Sequence, residues 1–129
     1  MNSFLWVAVG SALGGVSRYG FGLMASRLWG DAFPWGTICI NVLGSFVIGL
    51  FAALTTADGA MPASANLRIF FMVGICGGFT TFSSFSLQTL TLMRDGGWFP
   101  AMGNIVLSVV LCLLAVTLGN VAAQRIGMF

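Results

Sequence analysis

The chain has no histidine, no lysine and no glutamate, so five arginines and three aspartates carry all of its side-chain charge. Without His or Glu, the usual Ser-His-Asp and thiol–imidazole arrangements and the common zinc sites lack their parts. Familiar enzyme chemistry is thereby excluded, and the protein reads as a non-enzyme. Charge of either sign is scarce: 6% of residues are charged, against roughly a quarter in a soluble domain. That is too little to cover a water-facing surface. The arginines are scattered, so there is no basic patch and no nucleic-acid partner is expected. Cysteine is scarce as well. Cys39, Cys76 and Cys112 fall singly within apolar runs, which argues against a disulfide framework and reads as small apolar packing. What is plentiful is hydrophobic surface, at 58% of 129 residues with a mean hydropathy of +1.01. The length suits one domain. The composition is that of an integral membrane protein.

A hydrocarbon core of about 30 Å needs about 20 apolar residues per helix. Four segments qualify, at about 4–24, 35–54, 67–92 and 99–123. The predicted fold is therefore a single four-helix transmembrane domain, all-α. Breaker-rich connections separate the spans: Gly30, Asp31 and Pro34, then Asp58, Gly59 and Pro62, then Arg94-Asp95-Gly96-Gly97. The first apolar stretch contains Arg18 and lacks a basic leader and a small-residue cleavage site, so it reads as a retained span. Trp29, Trp35 and Trp98 stand at span ends, where amphipathic rings prefer the interface.

Arginine placement sets orientation. Arg68 and Arg125 share one side of the four spans, Arg27 and Arg94 the other. Chance gives such a balance in a small sample; the sharper reading is dual topology, with identical chains inserted both ways. Four helices are also too few to enclose a pathway, and the two halves show no convincing repeat. Any inverted symmetry would come from pairing two antiparallel chains. An antiparallel homodimer embedded in membrane lipid is the expectation.

Polar groups in hydrocarbon mark packing or a pathway. Thr37, Asn41 and Ser45 share one helical face, and Asn104, Ser108 and Cys112 repeat that spacing in the fourth span. The third span holds Gly77-Gly78-Phe79-Thr80-Thr81-Phe82-Ser83-Ser84-Phe85-Ser86. A Gly pair beside two β-branched residues is poor helix sequence, so a break is expected there. Backbone carbonyls freed by a break suit a hard cation, while close packing at Gly77 and Gly78 is the alternative. Phe79, Phe82 and Phe85 run along one flank with Thr81, Ser84 and Gln88 beside them. They are ordinary membrane core or, through their positive ring edges, a lining for an anion. Asp31, Asp58 and Asp95 all lie in connections. A proton-coupled exporter usually needs an intramembrane carboxylate, so passive conduction is the better hypothesis. Arg18, the one charge within a span, would draw anions to a vestibule or serve as a buried structural residue.

The third-span run closely resembles the GGxTTFSTF hallmark of the bacterial Fluc (CrcB-type) fluoride channels. Gly14-Gly15-Val16-Ser17-Arg18-Tyr19, Gly36-Thr37 with Asn41, and Asn104 agree with that family in order and spacing. The resemblance covers essentially the whole chain. It implies an antiparallel dual-topology homodimer in the bacterial inner membrane, with two fluoride pathways. It makes Phe82 and Phe85 the rings that face fluoride, Asn41 a pore-lining amide, and Ser83 and Ser84 hydroxyls near the path. It makes Gly77 and Thr80 the backbone donors to a structural, non-transported Na⁺ at the dimer centre, and Arg18 a vestibule residue. The implied role is passive fluoride exit from the cytoplasm, relieving toxicity, with no organic cofactor. Some positions depart from the pattern. Ser84 stands where Thr is usual, Gln88 where many members have Glu, and Cys112 and Val116 where relatives carry Ser and Thr. The competing readings are a small multidrug-type exporter, disfavoured by the missing carboxylate, and a membrane assembly protein in which Phe and Gly only pack.

Overall fold

The computed structural model describes residues 2–127. Among these residues the chain is all helical, with no strand. Helix α1 (Asn2–Trp29) is followed by α2 (Trp35–Leu54) and by a third ascent in pieces: α3 (Ala65–Arg68), a π-helical stretch (Ile69–Cys76), α4 (Gly77–Phe79) and α5 (Phe82–Arg94). Helix α6 (Trp98–Ile126) closes the bundle. Residues 35–54, 65–94 and 98–126 form three helices long and apolar enough, among the described residues, to cross a membrane. Helix α1 has the length, at 28 residues. Arg18, Arg27 and its Gly and Ser residues make it less apolar than the other three.

The ends of the helices follow from local chemistry. Gly30, at φ 70°, takes the left-handed conformation after α1, and its N–H reaches the Ser26 carbonyl at 2.9 Å. Gly96, at φ 79°, does the same after α5. Its N–H bonds Met93 at 3.2 Å and that of Gly97 bonds Leu92 at 2.9 Å, which together form a Schellman turn. The Arg68 guanidinium donates to the Ala52 carbonyl at 3.1 Å and to the Thr55 hydroxyl, placing a cation on the C-terminal end of α2. Asp31, Asp58 and Asp95 all lie in the connections.

Helix association in lipid gains little from hydrophobicity and relies on close packing of small residues. Gly10 and Gly14 on α1 meet Gly74 and Gly78 on the third ascent, each pair spaced by four. A Cβ on Gly74 would lie 2.8 Å from the Gly10 Cα, and one on Gly78 would lie 2.7 Å from the Ser11 carbonyl. On the other side, Gly49 of α2 presses against the Val116 carbonyl and Gly119 of α6 against that of Phe46. Most of the buried apolar side chains are correspondingly small, Ala25, Cys76, Ala101, Ala115 and Ala123, with Ile38, Ile40 and Phe85 the larger ones. Large apolar groups such as Phe4, Val16, Leu113 and Phe99 face outward. That is the arrangement expected when the solvent is hydrocarbon.

Candidate functional site

Two residues, Thr80 and Thr81, separate α4 from α5 in extended backbone conformation. Their polar groups are taken up one by one. The Thr80 N–H and hydroxyl both donate to the Cys76 carbonyl, each at 2.9 Å. Thr81 is held by α2. Its N–H donates to Asn41 Oδ1 at 2.7 Å, and its carbonyl accepts from Asn41 Nδ2 at 3.1 Å. One amide thus supplies both the acceptor and the donor that a continuous helix would have supplied. Gly44, one turn further along α2, leaves room for the Thr80 methyl, with which any Cβ there would collide. The Thr81 hydroxyl then caps α5, accepting from the Ser84 N–H at 3.2 Å.

These bonds redirect two donors. In an unbroken helix the Thr81 N–H would serve the Gly77 carbonyl and the Ser84 N–H would serve that of Thr80. Here the first goes to Asn41 and the second to the Thr81 side chain. The carbonyls of Gly77 and Thr80 are therefore released from their helical donors, and such oxygens suit a hard cation better than a transition metal. No cluster of three or more His, Cys, Asp or Glu side chains exists among the described residues.

An open cleft of about 380 Å³ lies between α2, α4, α5 and α6. Asn41, Gly77, Thr80, Phe82 and Phe85 all border it, together with Ser108 of α6. The lining is mostly apolar and contains no charged residue. Phe82 and Phe85 sit with ring centroids 5.2 Å apart and planes tilted by 47°. Their surroundings differ sharply: Phe85 is 8% exposed and Phe82 is 76% exposed. Of the residues singled out from the sequence, Ser83 and Ser84 turn to the Thr81 hydroxyl, at 3.3 and 3.0 Å. Arg18 is half-buried on α1, away from this lining.

Beside Phe85 lies a polar network whose members the sequence pattern connected only in part. Thr89 donates to the Phe85 carbonyl at 2.8 Å, and Asn104 Nδ2 donates to Thr89 Oγ1 at 2.8 Å. Ser108 donates in turn to Asn104 Oδ1 at 3.3 Å. Asn104 is fully buried. Its 104–108 spacing was visible as a polar stripe on α6; its partner Thr89 was not, because nothing local to α5 marks it. Neither was the role of Gly44, a single glycine among several in an apolar helix.

Chemically, the cleft can hold a small desolvated species by ring edges and neutral donors. A fixed charge would bind an anion too firmly to release it, and none lines this space. The family described as CrcB-like protein, Camphor Resistance (CrcB), matches residues 5–120 of the chain. The chain is also similar to curated relatives over nearly all of its length. The fluoride-specific ion channel FluC of Paramagnetospirillum magneticum is 57% identical over 127 residues, 98% of this chain and 99% of the relative. That of Methylocella silvestris is 56% identical over 124 residues, covering 96% and 95%. That of Opitutus terrae is 54% identical over 123 residues, covering 95% and 93%.

Proposed function

The chain belongs to the CrcB-like family, and on that premise we propose that it is a fluoride-specific ion channel that lets fluoride leave the cytoplasm passively. The observation that carries the proposal is the cleft. Two phenylalanines and one amide border a space with no charged residue in its lining, and relatives more than half identical are named fluoride channels. Fluoride is small and strongly hydrated, so crossing requires replacement contacts along the way. Phe82 and Phe85 offer weakly positive ring edges, Asn41 retains a second amide proton, and Ser83 and Ser84 offer hydroxyls near the path. Arg18 draws anions toward a vestibule. Four transmembrane helices, α1 among them, make up each subunit.

The working unit is an antiparallel homodimer of dual topology in the bacterial inner membrane. Balanced arginines on the two sides support it, as does Phe82, a large ring that a single chain leaves exposed. A structural Na⁺ at the dimer centre is held by the Gly77 and Thr80 carbonyls, which the redirected Thr81 and Ser84 donors leave available. The ion supplies a fixed positive anchor for backbone oxygens and is not itself transported. Purified protein in liposomes loaded with potassium fluoride tests the reading. Valinomycin-triggered efflux seen by a fluoride electrode, with chloride retained, is the expected result. Vesicles that keep their fluoride would overturn it.

A further inference from the structure

We propose that Asn104 fixes the direction in which the Ser108 hydroxyl donates, turning its proton away from the cleft, and so acts as a positioning residue that weakens the cleft's hold on an anion. The argument is a count of protons. Thr89 has one hydroxyl proton and gives it to the Phe85 carbonyl, 2.8 Å away. Its oxygen can then only accept, so the Asn104 atom 2.8 Å from it is the amide nitrogen. The amide oxygen of Asn104 therefore faces Ser108, and Ser108 is the donor in their 3.3 Å bond. Ser108 has no second proton. What it presents to the cleft it borders is a pair of lone pairs.

An anion in the cleft gains the Ser108 proton only if that proton leaves Asn104. Asn104 is 0% exposed, so its oxygen would then be buried without a partner. The network thus opposes donation at this point and keeps binding weak enough for release. Phe85 is tied to the same chain through its carbonyl, which couples the ring's backbone to the polarity of the hydroxyl.

The transport readout rests on the fluoride-channel reading; the hydrogen-bond polarity does not, and the two are measured separately. In protein labelled with ¹⁵N-asparagine, the Asn104 side-chain protons exchange with D₂O far more slowly than those of exposed Asn66. Thr89→Val accelerates that exchange and Ser108→Ala leaves it unchanged, because only Thr89 faces the amide nitrogen. Acceleration by Ser108→Ala instead, or Asn104 exchange as fast as that of Asn66, overturns the proposal. In liposomes, Asn104→Leu frees the Ser108 proton and lowers the fluoride concentration for half-maximal efflux about fivefold, the worth of roughly one net hydrogen bond. Thr89→Val produces the same shift by letting the amide turn over, and serves if Asn104→Leu does not assemble. Thr89→Ser restores the parent value. Both shifts vanish in a Ser108→Ala background. A loss of flux without a shift, or a shift that survives Ser108→Ala, marks a merely structural role and overturns the proposal. A parent protein that passes no fluoride would sink the channel reading, while the exchange data still decide the polarity.

Discussion

Replacing Asn41 with leucine removes the clamp on the interrupted helix while keeping the branched shape of the side chain. The variant strips two bonds from Thr81, at 2.7 and 3.1 Å, and leaves both its N–H and its carbonyl without their partner. Each unsatisfied buried polar group costs about 1–3 kcal/mol, so the total lies at about 2–6 kcal/mol. Thr81 is buried, but the adjoining cleft is roomy enough for water. Water reaching one of the two groups leaves one unsatisfied, which brings the expectation to about 1–3 kcal/mol. Ser45→Ala is the control, since Ser45 borders the same cleft with no clamp role. It should stay within about 0.5 kcal/mol of the parent. Asn41→Asp, neutral in this apolar setting, keeps the acceptor for the Thr81 N–H and can offer its carbonyl a single O–H, so it falls between the two. Reversible unfolding in mixed micelles, followed by tryptophan fluorescence, reads all three. If Asn41→Leu unfolds within 0.5 kcal/mol of the parent, the amide is not what holds the extended connection, and its place is in the pathway alone.

The glycine contacts separate neighbours in one helix. Gly14→Ala drives a methyl into the Ile75 carbonyl and should destabilise by about 1–3 kcal/mol or more. Gly15→Ala meets nothing within 4 Å and should be neutral or gain up to about 1 kcal/mol of helix propensity in the same unfolding assay. Phe82→Ile and Phe85→Ile test the rings. A packing role predicts losses under about 1.5 kcal/mol and ordinary flux. A pathway role predicts a folded protein whose fluoride efflux collapses, the outcome expected here. Exchanging all Na⁺ for a large organic cation should abolish efflux, and undiminished flux after exhaustive removal would count against the Gly77–Thr80 ion site. Reporters fused to the C-terminus should show both orientations at comparable levels, and added C-terminal lysines should draw that end to the cytoplasm; a single orientation in the parent would rule out the antiparallel dimer.

The residues alone settled the solvent, the helical class and the absence of carboxylates from the spans. Each of these depends on composition and on runs of about 20 residues, which are local quantities. The Thr37-Asn41-Ser45 and Asn104-Ser108-Cys112 stripes were legible for the same reason, since a helical face is a matter of spacing. The four-residue spacing of Gly10 and Gly14, and of Gly74 and Gly78, was present in the sequence too. It could mark an interface but not say which helix answers it.

Partnership was decided by tertiary structure. That Asn41 grips the Thr81 backbone 40 residues away depends on how α2 lies against the third ascent. That Asn104 meets Thr89 depends on α5 returning beside α6. Sequence showed an amide in an apolar helix that had to find a partner; only the packing supplied that partner, the Thr81 backbone. The contrast between Phe82 and Phe85 arises in the same way. The two rings are chemically identical and three residues apart, yet the packing buries one and a lone chain leaves the other bare. In hydrocarbon every polar group must be matched, so its need is written in the sequence. Its match lies on another helix, and only the fold brings the two together.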